Sequence, residues 1–275
     1  MVTASIVAYK TKKSDLLNVI HDAFNGKINK IWIIDNSPTD DLRKYVEKID
    51  NIEYIWGHGN IGYGAAHNIA LNKAENSNSY YHVVLNPDIS FGEEVIPALE
   101  AFMNRHEDVG YVMPKVYYPD GRLQYLCKLN PTPLDIIGRR LFSESWIKKR
   151  IERFEMKSTR YNDIRNVPIL SGCFMFLRME AIKKIGYFDD RFFMYFEDFD
   201  LIRRIHKEYK TVFYPHVSIL HNHAAEHHVN RKLLLISIKS AIRYFNKWGW
   251  ILDSYRRNQN RRAFDKQNII TDNPN

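Results

Sequence analysis

The chain has 275 residues, of which 45% are hydrophobic and 26% are charged, and its formal net charge at pH 7 is +8. This length supports one large folded domain with an appendage, and the composition excludes a disordered chain. No apolar run reaches the roughly 18 residues that a membrane-spanning helix needs, and the N-terminus enters a strand-like segment instead of a secretion signal. We therefore expect a cytoplasmic protein.

The positive charge is concentrated near the C-terminus. Residues 229–275 contain ten Lys or Arg and three Asp or Glu, whereas the rest of the chain is nearly neutral. The two cysteines, Cys127 and Cys173, lie far apart and in no metal-type spacing, which favours free thiols in a reducing compartment. These patterns predict a near-neutral body, residues 1–228, followed by a basic tail.

Short apolar segments alternate with amphipathic segments along the first part of the chain. Apolar and β-branched runs predict strands at Thr3–Tyr9, Ile31–Ile34, Glu53–Trp56, Tyr80–Leu85 and Val109–Met113. Helices are predicted between them, at about residues 15–24 with Ser14 or Asp15 as the cap, at 41–48, after residue 62, and at 93–105. This order of elements is typical of a parallel, doubly wound α/β sheet.

The segment Gly57–Asn68 places several glycines before an alanine-rich helix. Such a loop lets backbone N–H groups and a helix N-terminus approach a phosphate or a sugar. The spacing is neither that of a dinucleotide-binding fingerprint nor that of a P-loop. A tight turn whose small residues allow close helix packing is the simpler interpretation.

One carboxylate follows the predicted strand Tyr80–Leu85, where Asn86-Pro87-Asp88 ends the apolar run. In open α/β sheets, ligands gather at the carboxyl ends of strands. Mg²⁺ and Mn²⁺ prefer carboxylate oxygens and bridge them to substrate phosphates. We therefore interpret Asp88 as a metal ligand, with an Asx turn after Pro87 as the alternative.

The middle of the chain breaks the alternation. Tyr118–Arg122 has the composition of a hairpin turn. Residues 130–166 are rich in Lys and Arg and predict one or two helices laid over the core, or a mobile lid. Residues 167–177 are apolar except for Ser171-Gly172, which suggests a bulge or a backbone surface that a ligand approaches.

A second acidic group lies in Phe192–Arg204, where aromatic residues surround Glu197, Asp198 and Asp200. Apolar residues then recur at helical spacing, so these acids mark the start of a helix. A carboxylate beside apolar walls can act as a general base, a role worth roughly 10²–10⁴ in rate. Capping is the alternative, but three acids in four positions exceed what a cap needs.

Histidines are concentrated after a predicted strand at Thr211–Tyr214. None of them pairs with a cysteine or repeats in the spacing of a zinc site. We expect one of them to complete the Asp88 metal site and most of the others to be solvated. They are His216, His221, His223, His227 and His228.

The basic tail predicts a helix from Asn230 onward, with apolar residues at helical spacing and basic residues among them. A basic, amphipathic helix that bears tryptophan can lie on an anionic membrane surface. It can equally pack on the core and leave a solvated basic end. The sequence leaves both interpretations open.

Six short motifs occur in order along roughly residues 3–223. They are Ser5–Tyr9, Ile33–Ser37, Asn60-Ile61-Gly62 with Asn68, Leu85–Asp88, Ser171–Met175 and Phe193–Leu201. As an ordered set they resemble the family 2 glycosyltransferases with a GT-A fold, in particular the bacterial rhamnosyltransferase-like branch that builds cell-surface polysaccharides. The resemblance implies an α/β GT-A domain over residues 1–228, with 130–166 as an acceptor-side insert or lid and 229–275 as a helical tail.

The resemblance also implies a metal-dependent, inverting transfer from a dTDP- or UDP-sugar to a glycan or a polyprenyl-diphosphate-linked acceptor. Asp88 and His221 would hold Mg²⁺ or Mn²⁺ on the donor diphosphate, and Asn86 stands where the family's DXD motif has its first acid. Asp35 would hold the base or the ribose of the nucleotide in a pocket shared with Ala8 and Tyr9.

Further roles follow from the same resemblance. Asn60, Gly62 and Asn68 would lie on the donor side. Asp198 would take the proton of the acceptor hydroxyl as that hydroxyl attacks the anomeric carbon, and Glu197 and Gly172 would shape the acceptor side. The tail would bring the protein to the inner face of the plasma membrane, and we expect no nucleic-acid partner.

Two other functions stay open on the residues alone. A nucleotidyltransferase would also use an α/β sheet and metal-binding acids, although no glycine-rich, lysine-bearing phosphate loop lies near the N-terminus. A non-enzymatic protein could bind a membrane surface or nucleic acid through the basic tail, because charge gives affinity without specificity.

Overall fold

The computed structural model describes residues 1–141, 144–222 and 231–272. The strands are β1 (Val2–Ala8), β2 (Lys30–Asp35), β3 (Ile52–Ile55), β4 (Tyr81–Leu85), β5 (Ile89–Phe91), β6 (Val109–Tyr117), β7 (Arg165–Asn166), β8 (Phe174–Arg178) and β9 (Lys210–His221). The helices are α1 (Lys13–Asn25), α2 (Arg43–Val46), α3 (Tyr63–Asn76), α4 (Val95–Arg105), α5 (Pro133–Leu141), α6 (Glu144–Phe154), α7 (Met179–Ile185), α8 (Glu197–Glu208), α9 (Arg231–Trp248) and α10 (Ser254–Arg262).

The N-terminal part of the sheet is parallel, as the sequence predicts. Strands β3, β2, β1 and β4 lie side by side in that order, and each neighbouring pair runs parallel. The register pairs Ala8 with Asp35 and Ile6 with Leu85. The carboxyl ends of β1, β2 and β4 therefore meet at one edge of the sheet, where ligands of open α/β sheets gather.

The other part of the sheet is mixed. Strand β8 runs antiparallel to both β4 and β6, and β6 pairs in parallel with β9. Strands β5 and β7 pair antiparallel with β9. The antiparallel course of β8 pairs its first residue, Phe174, with the last residue of β4, Leu85. The Ser171-Gly172 loop before β8 therefore lies next to Asn86-Pro87-Asp88.

Helices cover both faces of the sheet. Apolar residues of α1 and α4 pack on one face together with Ala4 and Ile6 of β1. Residues of α3, α7 and α8 pack on the opposite face together with Val7 of β1. Alternate residues of β1 thus point into two separate cores, which is the pattern of a sheet buried on both sides.

Two details of the helix prediction are wrong. Helix α1 begins at Lys13, and neither Ser14 nor Asp15 caps it, because the Ser14 hydroxyl donates to the Asp15 carboxylate instead. Helix α2 covers four residues instead of 41–48, and Thr39 donates to Asp41 in the same way. In both places short polar side chains bond to each other rather than to the backbone of a helix start.

The middle segment forms the structures that its composition predicts. The Tyr118 N–H donates to the Arg122 carbonyl at 2.8 Å and closes a hairpin turn. Residues 130–166 contain the two helices α5 and α6. Ile147, Phe154 and Met156 are buried, so this segment packs on the core as the helical interpretation predicts.

The tail packs on the body with one of its sides. Tyr244 and Phe245 of α9 form a buried aromatic cluster with Phe192 and Phe196. A buried ion pair joins Arg203 of α8 to Asp253 before α10, with 2.6 Å between Nη2 and Oδ2. One of the two interpretations of the tail, packing on the core, is therefore confirmed for this side of α9.

Both cysteines are free and buried, as their spacing predicts. Among the helices within the described ranges, none is both long enough and apolar enough to cross a lipid bilayer. The histidines at 223, 227 and 228 lie outside the described residues, and His216 lies within β9.

Candidate active site

The donor side of the site is the edge where β1 and β2 end. Asp35 is the last residue of β2 and is almost completely buried. Its Oδ1 accepts from the Ser37 N–H at 2.8 Å, and its Oδ2 accepts from the Tyr54 hydroxyl. A carboxylate oxygen can accept a second hydrogen bond, so the predicted contact of Asp35 with a nucleotide stays a prediction.

The other residues at this edge differ in exposure. Ala8 is fully buried, and its carbonyl accepts from the Asn36 N–H at 2.8 Å. Tyr9 follows directly and is 50% exposed, so its ring is available to stack on a bound group. The structure therefore brings Ala8 and Asp35 together through the β1–β2 register and leaves the Tyr9 ring open to solvent.

Two glycines of the glycine-rich loop, Gly62 and Gly64, pack tightly against other parts of the protein. The Asn60 side-chain oxygen accepts from the Gly62 N–H at 3.1 Å. Gly62 has a φ of 94°, and a Cβ there would lie 2.3 Å from the Phe193 carbonyl oxygen. A Cβ on Gly64 would lie 2.9 Å from the Phe188 Cβ. Close packing, the simpler interpretation of the sequence, thus accounts for these two glycines.

Asn68 has a different set of contacts from the one that the resemblance implies. Its Nδ2 donates to the Phe188 carbonyl and its Oδ1 accepts from the Phe188 N–H, each at 2.9 Å. Both halves of the amide are therefore engaged by one backbone residue, which ties α3 to the segment before α8. Its predicted contact with the donor stays a prediction.

The candidate metal site lies where β4 and β9 end. The Asp88 carboxylate lies 3.5 Å from His221 Nε2, and the Asp88 carbonyl accepts from the Asn222 N–H. The Asn86 amide nitrogen lies 3.5 Å from the same His221 atom. Among the histidines in the described ranges, His221 is thus the one that lies beside Asp88, and its role as a metal ligand stays a prediction.

Gln124 fixes the orientation of the His221 ring. Its side-chain oxygen lies 3.1 Å from His221 Nδ1, and its nitrogen donates to the His221 carbonyl at 2.9 Å. The oxygen accepts only if Nδ1 carries a proton, so the neutral ring presents a lone pair at Nε2 toward Asp88. Burial lowers the pKa of His221, but Asp88 and Cys173 outweigh it and raise the pKa to about 10 in the absence of a cation.

These residues fit a divalent cation that takes most of its ligands from a substrate. A side-chain oxygen of Asp88, itself 29% exposed, and the oriented Nε2 of His221 form a pair of donors. In the described ranges no group of three or more His, Cys, Asp or Glu could hold a metal by itself. Mg²⁺ typically uses one or two protein carboxylates together with substrate phosphates and water, so a two-residue site suits it.

Asp198, the predicted base, lies at the start of α8 and against the Ser171-Gly172 loop. Its Oδ2 accepts from the Gly172 N–H at 3.1 Å, and its Oδ1 accepts from the Phe199 N–H at 2.8 Å. A Cβ on Gly172 would lie 2.9 Å from the Asp198 Cβ, so only glycine allows this approach. The structure therefore places Gly172 as a direct support of the carboxylate.

The two neighbouring carboxyl groups have different environments. Burial, followed by repulsion from Asp198, raises the pKa of Glu197 well above 4.5, and its Oε2 is buried without a hydrogen-bond partner. Burial also raises the pKa of Asp198, while Lys128 and the two backbone donors oppose this shift. Burial thus disfavours the charged form of both carboxyl groups, and Lys128 together with the backbone N–H donors opposes this effect at Asp198.

Asp200, the third acid of this group, has a structural role. It is fully buried and accepts from Arg204 Nε at 2.9 Å and from Trp248 Nε1 at 2.8 Å. Lys247 Nζ lies 2.7 Å from Oδ1, the oxygen that also accepts from Trp248. Asp200 therefore connects α8 to α9, and the functional roles predicted for Glu197 and Asp198 stay predictions.

The backbone before the carboxyl pair is strained. Tyr195 and Phe196 both have a φ of 68°, which is rare for aromatic residues and costs on the order of 1–3 kcal/mol each. The tail supports this conformation, because the Ser240 hydroxyl donates to the Met194 carbonyl at 2.8 Å and Tyr244 packs on Phe196.

Tyr63 joins the two sides of the site, and sequence reasoning missed it. Its hydroxyl lies 2.9 Å from the Asn86 side-chain oxygen and 2.8 Å from the Gly172 carbonyl, so it can donate to either. Burial raises its pKa well above 10, so the hydroxyl keeps its proton. The hydrogen bonds run from Asn86 through Tyr63 to Gly172 and on to Asp198. The available signal was an aromatic residue directly after the Asn60-Ile61-Gly62 motif.

A cavity of about 1010 Å³ opens beside Asp198. His221, Glu197 and Ser171 line it together with Asp198, so the base and one candidate metal ligand face the same space. The lining also includes aromatic and cationic residues, among them Tyr118, Arg122, Tyr125, Lys128, Tyr195 and Phe199, as well as the acids Asp135 and Glu155. Rings that stack on sugars and cations that pair with phosphates are the groups that a glycosylated phosphate ester requires.

Comparison with known proteins decides which family this geometry belongs to. Residues 4–186 match the model of the family "Glycosyl transferase family 2". The chain belongs to glycosyl transferase family 2. The match spans β1 to the end of α7 and includes Asp35, Asp88 and Gly172.

Relatives and solved structures agree with this family and its fold. The chain is 27% identical over 235 residues to N-acetylglucosaminyl-diphospho-decaprenol L-rhamnosyltransferase of Mycobacterium tuberculosis, with 74% of each chain covered. The fold matches S. aureus TarS 1-349 with a TM-score of 0.54 and 16% identity, over 97% of this chain and 73% of that one.

The mannosyltransferase PcManGT from Pyrobaculum calidifontis, in complex with GDP-Man and Mn²⁺, gives a TM-score of 0.55 at 14% identity, over 89% of this chain and 64% of that one. At these identities the solved structures show the fold alone, which is GT-A.

Proposed function

We propose that this glycosyltransferase moves a sugar, with inversion, from a dTDP- or UDP-sugar to a polyprenyl-diphosphate-linked or other glycan acceptor in cell-surface polysaccharide biosynthesis. One observation carries the proposal: Asp198 and His221 face one cavity, and Asp88 lies 3.5 Å from His221. The proposed base therefore shares a cavity with one of the two proposed metal ligands, and the other ligand lies directly beside that one. The M. tuberculosis relative, whose name specifies a diphospho-decaprenol acceptor, supports this acceptor class.

Asp198 would act as the general base. The acceptor hydroxyl loses its proton to the Asp198 carboxylate while its oxygen forms a bond to the anomeric carbon. The bond between that carbon and the donor diphosphate breaks, and the electron pair leaves with the nucleoside diphosphate. A single displacement with one base inverts the anomeric configuration. Glu197, whose neutral form is favoured by burial, would shape the acceptor side together with Gly172.

Asp88 and His221 would hold Mg²⁺ or Mn²⁺. Such an ion neutralises the charge that develops on a departing diphosphate. Asn86 would hold the adjacent phosphate oxygens, since its amide nitrogen faces His221. Asp35, Ala8 and Tyr9 would receive the nucleoside at the β1–β2 edge.

The test is a transfer assay with the full chain and a short-chain prenyl-diphosphate N-acetylglucosamine as acceptor. UDP-, dTDP- and GDP-sugars are supplied one at a time, each with Mn²⁺, with Mg²⁺ or with a chelator. We expect acceptor-dependent release of nucleoside diphosphate from one donor, loss of release with the chelator, and a product whose anomeric configuration by NMR is opposite to that of the donor. Release of pyrophosphate, or retention of configuration, would contradict the proposal.

The site of action follows from this acceptor. A polyprenyl-diphosphate substrate resides in a bilayer, so the enzyme would work peripherally at the inner face of the plasma membrane. The protein requires a surface that places its cavity next to lipid.

A further inference from the structure

Helix α9 and the turn after it expose an unusual number of large apolar side chains. Leu235 is 59% exposed, and Ile251 and Leu252 in the turn are each 82% exposed. Ile238, Ile242 and Trp250 are also exposed. Single exposed apolar residues are common, whereas a contiguous group marks a surface that binds something.

The exposed residues form one continuous strip. Leu235, Ile238 and Ile242 follow one another at helical spacing and therefore lie on one side of α9, away from the side that Ser240 and Tyr244 bury. Trp250 donates from Nε1 to the Asn246 side chain at 2.8 Å. Asn246 lies one turn after Ile242, so the strip continues from the helix into the turn 249–252.

The charged residues of α9 itself all have one sign. Helix α9 contains five basic residues and no acidic residue. Arg231 and Lys239 are exposed, and Lys239 follows Leu235 by one turn on the same outward side. An apolar strip flanked by cations fits the boundary between acyl chains and anionic headgroups better than it fits the surface of a second basic chain.

Helix α9 also borders the cavity that contains the proposed base. Ser237 of α9 lines that cavity together with Asp198, on a different side of the helix from the strip. A bilayer that contacts the strip would hold α9, and the cavity on its other side, close to the headgroup layer.

We propose that the strip formed by Leu235, Ile238, Ile242 and the turn Trp250-Ile251-Leu252 is a docking surface for an anionic phospholipid bilayer. The strip inserts its apolar side chains at the acyl boundary, and the exposed cations Arg231 and Lys239 pair with phosphate headgroups. The biological reason for such docking rests on the proposed function, in which the acceptor is linked to a lipid. The vesicle-binding test is independent of that function, because it requires neither donor nor acceptor.

The experiment is flotation of the full chain with two kinds of vesicle. One contains phosphatidylcholine alone, and in the other about one lipid in three is the anionic phosphatidylglycerol. We expect binding to the anionic vesicles, little binding to the neutral ones, and weakening with salt as the Debye length falls from about 8 Å to about 3 Å. The double variant Ile251→Ser with Leu252→Ser should reduce binding by about tenfold. Its thermal stability should be unchanged, because both side chains are exposed in the folded protein.

Matched controls separate this surface from general charge and general apolarity. Tyr80→Ser removes a side chain that is 73% exposed at the far end of β4, and Lys183→Gln removes an exposed cation on α7. Both should bind vesicles like the wild type, whereas Lys239→Gln should bind less.

Three outcomes would overturn the proposal. They are equal binding by the double variant and the wild type, equal loss in the Tyr80 control, and a wild-type dimer in size-exclusion chromatography that the double variant abolishes while vesicles stay unbound. The last outcome would assign the strip to a second copy of the chain. Transfer to a water-soluble, short-chain acceptor should persist in the double variant, so a failure of the proposed reaction is distinguishable from a failure of docking.

Discussion

The two sides of the active site are built in different ways. The donor side consists of β1 to β4, whose parallel register brings Ala8, Asp35 and Asn86 to one edge through local strand pairing. The acceptor side depends on contacts between distant segments: Gly172 supports Asp198, and Ser240 of the tail holds the strained backbone at Met194. The proposed donor residues thus lie at the edge of a regular sheet, and the proposed base lies in a region that the tail contacts.

Substitution of Asp198 should have the largest effect on transfer. We expect Asp198→Asn to reduce transfer roughly 10²–10⁴-fold, because the amide cannot accept the acceptor proton. The measurement is single-turnover transfer with the donor saturating. Glu197→Gln is the matched control. Because burial raises the pKa of Glu197 and favours its neutral form, this variant should lose much less activity, and equal losses in both variants would contradict the assignment of Asp198 as the base.

On the donor side, Asp88→Asn should weaken the metal-dependent binding of the donor by roughly 10–100-fold, since a site with two protein ligands loses its only carboxylate. Titration of Mn²⁺ at fixed donor measures this effect. Asp120→Asn, in the exposed hairpin turn, serves as the control. An unchanged Mn²⁺ titration in Asp88→Asn would remove this residue from the metal site.

The connection between the two sides is tested at Tyr63. Tyr63→Phe removes a hydroxyl that contacts Asn86 and Gly172, and a hydrogen bond of this kind contributes about 1 kcal/mol, or roughly fivefold in rate. We expect kcat to fall by that factor with little change in KM for the donor, because the bond positions Gly172 and Asp198.

Tyr81→Phe is the matched control for Tyr63. Tyr81 also donates to an asparagine side chain, Asn104, but at the opposite end of β4. A similar fall in kcat in both variants would indicate general destabilisation instead of positioning.

The smallest expected effect concerns pH and the Glu197 carboxyl. The folded-state pKa of Glu197 is raised, so burying it protonated stabilises the fold at low pH, and this contribution is lost as the pH rises through the folded-state pKa. Glu197→Gln cannot ionise. Its melting temperature relative to the wild type should therefore increase as the pH rises above 4.5. A constant difference across pH would show that the folded-state pKa of Glu197 is not raised above that of the unfolded chain.

Features that depend on local sequence patterns are predictable from the sequence, whereas features that depend on contacts between distant segments are not. The parallel strands, Asp88 after β4 and Asp198 at the start of α8 follow from local patterns of apolar and polar residues. The role of Asp200 does not, because its partners Lys247 and Trp248 lie in a helix that is remote in sequence. Tyr63 was missed for a similar reason. Its hydroxyl contacts residues 23 and 109 positions away, and no periodic pattern encodes contacts at that separation.

The tail shows a second limit of sequence reasoning. Its amphipathic pattern fits both packing and membrane binding, and the structure uses one side of α9 for packing on Phe192 and Phe196. The helical period shows that apolar residues recur along α9, but it does not show which of them are buried against the body and which are exposed. Only the three-dimensional packing separates Tyr244, which is buried, from Leu235, which is exposed.

The most direct measurement of the central claim is calorimetric binding of the donor, with Mn²⁺, to Asp198→Asn and Asp88→Asn in parallel with the wild type. If the two sides do separate work, Asp198→Asn binds the donor with the wild-type Kd while its transfer is lost, and Asp88→Asn loses the metal-dependent part of binding. Equal loss of donor binding in both variants would contradict this division of the site.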